Sequence, residues 1–248
     1  MDNIKNYTII ANADDFGLKG SVNSAIIQCF QKGYITSASI MTNSAIFDET
    51  VKLINSNACV INIGVHIDLV EFKPLTAFKP IKFLNEEGNW NSEAINKKFL
   101  ILDAQAKDAF ELEIYKQIET ALSAGLNISH LDSHYHIHTL PCFYNLFIKA
   151  AKKYHLKLRL AQTYNEGNYL KFLYRKWLNN SIKKNGCNYS DLFEDVDHFL
   201  TSEGQNGALS VEIMLHPDLD VYGNLTDHYD PDTMTKWMAF LHNAKKTL

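Results

Sequence analysis

The chain has 248 residues, of which 46% are hydrophobic and 21% charged, and a formal net charge of -4. That length fits a single domain over residues 1–248, and the weakly acidic balance carries no electrostatic footprint for nucleic acid. The four cysteines, Cys29, Cys59, Cys142 and Cys187, lie far apart without a C-x-x-C pair. This argues against a zinc ribbon, a redox pair or a disulfide framework, and makes reduced thiols in the cytoplasm the expectation.

The first residues lead into an apolar run too short for a signal peptide or a membrane span. Thr8 to Ala13 reads as a buried strand that ends in Asp14-Asp15-Phe16-Gly17. A helix is expected from about Val22 to Lys32, with Gly33 as its cap. A second strand–helix unit follows at Ala38 to Thr42 and Ala45 to Asn55, and a third strand, Val60 to Val65, runs out at His66. Residues 70 to 91 break the pattern with prolines and with Phe72, Phe78, Phe83 and Trp90. Such a loop is either a lid or substrate wall, or a surface insertion packed by its own aromatics.

Ser92 to Leu102 and Asp108 to Ala124 read as helices, Ile128 to Asp132 as a strand, and Leu156 to Leu160 as another, with a helix between Pro141 and about Tyr154. Tyr169 to Ile182 reads as a helix with Leu170, Leu173, Trp177 and Leu178 as its core stripe. Asn206-Gly207 marks a turn before the strand Leu209 to Leu215, which ends in His216-Pro217-Asp218, and a helix from about Pro231 to Lys246 follows. Strands alternating with helices imply a parallel sheet, either a barrel or an open doubly wound one. Both place the functional face at the carboxyl ends of the strands, where Asp14, Asp15, His66, His134 and His216 fall.

One stretch stands out. His130, His134, His136 and His138, with Asp132 among them, recur at period two, so an extended chain would carry them all on one face. A solvated histidine-rich loop is the bland reading. Neutral imidazoles with a carboxylate are the usual ligands of zinc and suit other divalent ions, so a metal site is the sharper one. Asp132 could hold a ligand imidazole in its tautomer or serve a purely structural purpose.

The motifs Asn12-Ala-Asp-Asp-Phe-Gly17, Gly64-Val-His66, His130-Leu-Asp-Ser-His134 and Met214-Leu-His-Pro217 resemble those of the YdjC-like carbohydrate deacetylases, in order from residue 8 to about 218. The resemblance implies a single-domain α/β fold, a (β/α) TIM-barrel-like architecture, and removal of an N-acetyl group from an acetylated amino sugar. It also implies one divalent metal ion, Mg2+ or Zn2+, held by Asp15, His66 and His134, with Asp14 as catalytic base and His216 as acid. Phe16, His136 and His138 are the expected substrate contacts. His66-Ile-Asp68-Leu69 departs from the family's usual Thr before the Leu, and Asp218 stands where Gly is usual after the Pro, so sugar identity is less constrained than reaction type. A hydrolase acting on a non-sugar amide or ester, and a carbohydrate-binding protein without catalysis, are the competing functions. The assembly state is open, a homodimer included.

Overall fold

The computed structural model describes residues 7–97, 100–202 and 208–246, with side chains to residue 244. In chain order the elements are β1 (Thr8–Phe16), α1 (Gly20–Lys32), β2 (Ser37–Ile40), α2 (Phe47–Ser56), β3 (Ile63–Ile67), α3 (Ser92–Ile95), α4 (Ala104–Ser123) and β4 (Ile128–Ser133). They continue as α5 (Tyr144–Lys153), β5 (Lys157–Leu158), α6 (Tyr169–Lys184), β6 (Leu192–Glu194), α7 (Val196–Thr201), β7 (Ser210–Leu215), β8 (Pro217–Leu219), β9 (Leu225–Asp227) and α8 (Asp232–Lys246). Seven parallel strands form one sheet in the order β5-β4-β3-β2-β1-β7-β6, and β8 and β9 make a separate antiparallel pair.

The sheet curls into a barrel-like single domain. Its seam between β5 and β6 is stitched by Leu158 N–H to Cys187 O (2.5 Å), Tyr189 N–H to Leu158 O (3.0 Å) and Thr163 N–H to Phe193 O (3.0 Å). The strands alternate in an instructive way. Ala11, Ala13, Ala38, Ile40, Val65, Leu131, Leu158, Val211, Ile213 and Leu215 are buried in the apolar core. The intervening positions, Asn12, Asp14, Ser37, Ser39, His66, His130, Asp132, Arg159 and Glu212, are polar and equally buried. Because strand side chains alternate between faces, the apolar core lies between the strands and the helices, and the barrel interior is a polar chamber.

Several expectations are met closely. The αL residue at the end of α1 is Gly33, at φ 68, where a Cβ would be costly. Others need correction. The core stripe of α6 is Arg175, Leu178, Asn179 and Ile182, whereas Leu170 is 78% exposed and Trp177 52%. Of the expected stripe Leu178 is buried, while Leu170, Leu173 and Trp177 lie with Tyr169 on an outward apolar arc that periodicity does not distinguish from a core face. In place of a helix over Ser92 to Leu102 only Ser92–Ile95 is helical among the described residues, and β5 has two residues. The turn expected at Asn206-Gly207 lies outside the described residues.

The loop over residues 70 to 91 is an insertion packed by its own aromatics and not a lid. Phe78, Phe83 and Trp90 are buried, and each packs on Phe110 of α4 at ring separations of 4.9 to 5.8 Å. Two buried carboxylates pin its backbone. Asp68 accepts from the N–H groups of Val70, Glu71 and Phe72, and Glu113 from those of Leu75 and Thr76. Each charge-assisted bond satisfies a backbone donor that the irregular chain leaves unpaired.

Candidate active site

Asp14 and Asp15 are consecutive in β1, so a regular strand would send them to opposite faces. The pairing of β1 with β2 instead shifts register between Ala13 and Phe16, and Asp15 adopts φ 64. This bulge with a left-handed residue leaves Asp14 facing the barrel interior and turns Asp15 onto the rim above it, a use of local strain common at functional sites.

Asp14 faces the chamber. Arg159 grips it with two hydrogen bonds, Nη1 to Oδ2 at 2.5 Å and Nη2 to Oδ1 at 2.6 Å, and Asn12 Nδ2 donates to Oδ1 at 2.8 Å. Burial works to raise the Asp14 pKa, but Arg159 outweighs it and holds the carboxyl below its usual range. The same guanidinium reaches Asp132 Oδ2 at 2.8 Å and Glu212 Oε1 at 2.7 Å, while Phe193 lies 4.9 Å beneath it. Three acids therefore share one cation. Glu212 bears the cost, its pKa pushed by burial up to about 7 against the pull of Arg159.

Asp15 faces the rim, where its neighbours are imidazoles. His66 Nε2 lies 3.1 Å and His134 Nδ1 2.8 Å from Oδ1, and His228 Nε2 lies 3.1 Å from Oδ2. His66 is the penultimate residue of β3 and His134 follows β4. The other nitrogen of His66 meets Asp132 Oδ1 at 2.8 Å, and Ser39 Oγ donates to Asp132 Oδ2. Asp132 thus fixes the orientation of His66, as carboxylates do behind metal-binding imidazoles.

Asp15, His66 and His134 offer one ligand atom each within 4.8 Å of one another, all buried. No aligned hydrogen bond satisfies Asp15 Oδ1, although two ring nitrogens approach it. Burial disfavours a charged His66, yet Asp132 and Asp15 overcome this and raise its proton affinity well above normal. A proton on His66 would compete with a metal, but the carboxylates that attract it also favour a cation beside the neutral ring, and with the unsatisfied Asp15 Oδ1 these three residues fit a divalent ion. A second convergence, Asp14 with His66 and Asp132, already has its cation in Arg159.

His216 follows β7 and stands 15% exposed, its Nε2 3.9 Å from Asp14 Oδ2. Asp227 Oδ2 accepts from its backbone N–H at 2.7 Å. Burial, the largest influence, lowers its pKa. Beside it lies a cleft of about 220 Å3 lined by Met214, His216, Asp227 and Tyr229 among others.

The histidine run does not stay extended. β4 ends at Ser133, and His134–Thr139 form a 3-10 turn in which Tyr135 and His136 take φ 51 and 53. Ser133 Oγ organises it, accepting from His138 N–H and meeting His138 Nδ1 at 2.7 Å, while Ile137 plugs the core. His134 consequently enters the site alone. His130 is stacked on Tyr189 inside the chamber at 4.1 Å and faces Asn12 Oδ1, its pKa lowered by burial to about 4.

Three expected substrate contacts are placed differently. Phe16 is fully buried in the apolar core, and His138 is 1% exposed with its Nδ1 against Ser133 Oγ. His136 is half-buried beside Phe193, with Nδ1 unpartnered and its pKa lowered by burial to about 3. The sequence reading missed Arg159, Glu212 and His228. For Glu212 a signal existed, since it is the one charged residue in the apolar strand β7, and Arg159 alternates with Leu158 and Leu160 just after β5.

A YdjC-like protein profile matches residues 8–242. The chain belongs to the YdjC-like family. Among curated relatives, the carbohydrate deacetylase of Thermoanaerobacter pseudethanolicus is 34% identical over 152 residues, covering 61% of this chain and 59% of that protein. The carbohydrate deacetylase of Halalkalibacterium halodurans is 28% identical over 211 residues, covering 84% of each. The stretch matched to the first of these thus spans about three fifths of the relative's length.

The fold is shared with a solved Enterococcus faecalis protein named for cellobiose-phosphate cleavage (TM-score 0.67, 22% identity, 88% of this chain and 84% of the other). It is also shared with a lactam utilization protein of Thermus thermophilus (TM-score 0.53, 12% identity, 96% and 97%).

Proposed function

We propose that this YdjC-like chain is a metal-dependent deacetylase that hydrolyses the N-acetyl group of an acetylated amino sugar or short oligosaccharide. The observation that carries it is the meeting of Asp15, His66 and His134 on one rim with Asp14 and His216 beside them. The names of its curated relatives supply the sugar.

Asp15, His66 and His134 would hold the ion. Two imidazoles and one carboxylate favour zinc, with magnesium the alternative, and leave coordination positions open. A bound divalent ion polarises the acetyl carbonyl and lowers the pKa of an attacking water. The chain's own residues do the rest. Asp14, kept ionised by Arg159, accepts the water proton at a carboxylate oxygen. His216 donates a proton from Nε2 to the departing amine, and its 3.9 Å separation from Asp14 Oδ2 admits exchange through one water. His136, at the edge of the site, remains the candidate among the expected residues for a sugar hydroxyl.

Among the described residues no helix is long and apolar enough to cross a membrane. Cytoplasmic location belongs to the proposal, supported by the four free cysteines. The test is acetate release from N-acetylglucosamine oligomers by the purified chain with added Zn2+ or Mg2+. Release that a chelator stops is expected; no acetate from any N-acetylated sugar, with metal bound, would overturn the reading.

A further inference from the structure

We infer that His228 is a positioning residue for the metal centre, holding the second oxygen of Asp15 so that the first points at the ion. The inference rests on the metal reading of Asp15, His66 and His134, and concerns a residue far from the motifs that carry that reading. His228 Nε2 lies 3.1 Å from Asp15 Oδ2, while His66 Nε2 and His134 Nδ1 gather at Oδ1. The carboxylate is therefore divided between two tasks. One oxygen belongs to the ligand set and the other to a single donor.

A carboxylate accepts and cannot donate, so this contact needs the proton of His228 on Nε2. The remaining nitrogen agrees, since Nδ1 is buried and makes no hydrogen bond. The backbone around His228 is built to hold that ring. His228 N–H donates to His216 O at 3.1 Å, and Asp227 on its other side accepts from the N–H groups of His216, Tyr229 and Asp230. The ring itself packs against His216 at 5.3 Å and Tyr229 at 4.5 Å. Residues 227 to 229 thus fasten the candidate acid and the candidate metal carboxylate to one short segment at the end of β9.

Without the His228 donor, Asp15 is free to rotate or to present both oxygens to the ion. Loss of such an outer partner typically weakens metal affinity by about 10–100-fold. The test is a zinc titration of the full chain by calorimetry, with His228→Leu, which removes the donor, and His228→Gln, whose amide restores one near the Nε2 position. Melting of each metal-free variant is measured alongside. The expected result is weakened zinc binding in the Leu variant, recovery of most of the loss in the Gln variant, and similar melting of both.

Equal affinity in all three proteins would overturn the inference. So would equal weakening in both variants, which would make His228 a direct ligand. Failure of the metal reading looks different, because the wild-type chain would then bind no zinc that His134→Ala removes.

Discussion

Asp14 and Asp15 are neighbours in the chain but occupy two different regions of the barrel, and each region neutralises its carboxylate differently. The chamber below carries a permanent cation, Arg159, shared by Asp14, Asp132 and Glu212. The rim above surrounds Asp15 with His66, His134 and His228 and gives it no lysine or arginine among the described residues. A guanidinium stays charged at any ordinary pH and cannot leave, so it suits a fixed structural charge. Imidazoles take up a proton or a metal according to conditions, so they suit a replaceable one. The register shift and left-handed Asp15 in β1 divide the two acids between these regions.

Exchanging the two acids gives the largest expected contrast. Asp15→Asn should abolish both zinc binding and acetate release. Asp14→Asn should leave zinc binding intact while turnover falls by roughly 10²–10⁴-fold, the usual weight of a general base. Calorimetry beside an acetate assay reads both, and loss of zinc from the Asp14 variant would erase the distinction between rim and chamber.

The next effect is on stability. Arg159→Met leaves Asp14, Asp132 and Glu212 buried with no cation, and breaking such a buried pair costs about 3–5 kcal/mol. A large fall in the urea midpoint at neutral pH is expected, and an unchanged midpoint would show that the chamber does not depend on its arginine.

Glu212 gives the chamber a pH signature. Folded, it keeps its proton up to about pH 7, against an ordinary value of 4.5. Between those values the unfolded chain has released a proton that the folded chain retains, so this group makes stability fall as pH rises. The loss is on the order of 3 kcal/mol across the window. His130, whose pKa burial lowers from 6.5 to about 4, acts with the opposite sign over much of the same window, and Asp14, shifted downward, does so at lower pH. The contribution of Glu212 is isolated by subtracting the pH profile of Glu212→Gln from that of the wild type. A flat difference between about pH 5 and about pH 8 would refute it.

A smaller effect follows from one close approach. A Cβ on Gly64 would stand 2.3 to 2.6 Å from the His130 ring, which is itself fixed by Tyr189 and Asn12. Gly64→Ala should destabilise by about 1–3 kcal/mol through overpacking and leave zinc affinity unchanged, because the disturbance is in the chamber. Altered zinc affinity in that variant would show the two regions to be mechanically coupled.

The strand ends were easier to read from sequence than the depth of the chamber. Asp14, Asp15, His66, His134 and His216 each mark the place where an apolar strand runs out, a signal that survives without knowing which strands pair. Glu212 lies inside β7 and Arg159 directly follows β5, and their meaning appears only when Asn12, Ser37, His130 and Asp132 are placed in register around one interior. His228 was invisible for another reason. It directly follows the β8–β9 pair, whose strands have three residues each, too short to leave a periodic trace. The histidine run misled in its second half because the left-handed Tyr135 and His136 break an alternation that composition alone cannot interrupt.

The seam between β5 and β6 has a consequence for how the barrel breathes. Two amides, Leu158 N–H and Tyr189 N–H, carry the direct backbone link of β5 to the segment before β6, whereas β3 and β4 share a ladder of five residue pairs. Local opening runs through the weakest cooperative contact, so the cylinder should unroll there while its centre stays paired. In native-state deuterium exchange the amides of Leu158 and Tyr189 are expected to exchange ahead of those of Val65 and Leu131.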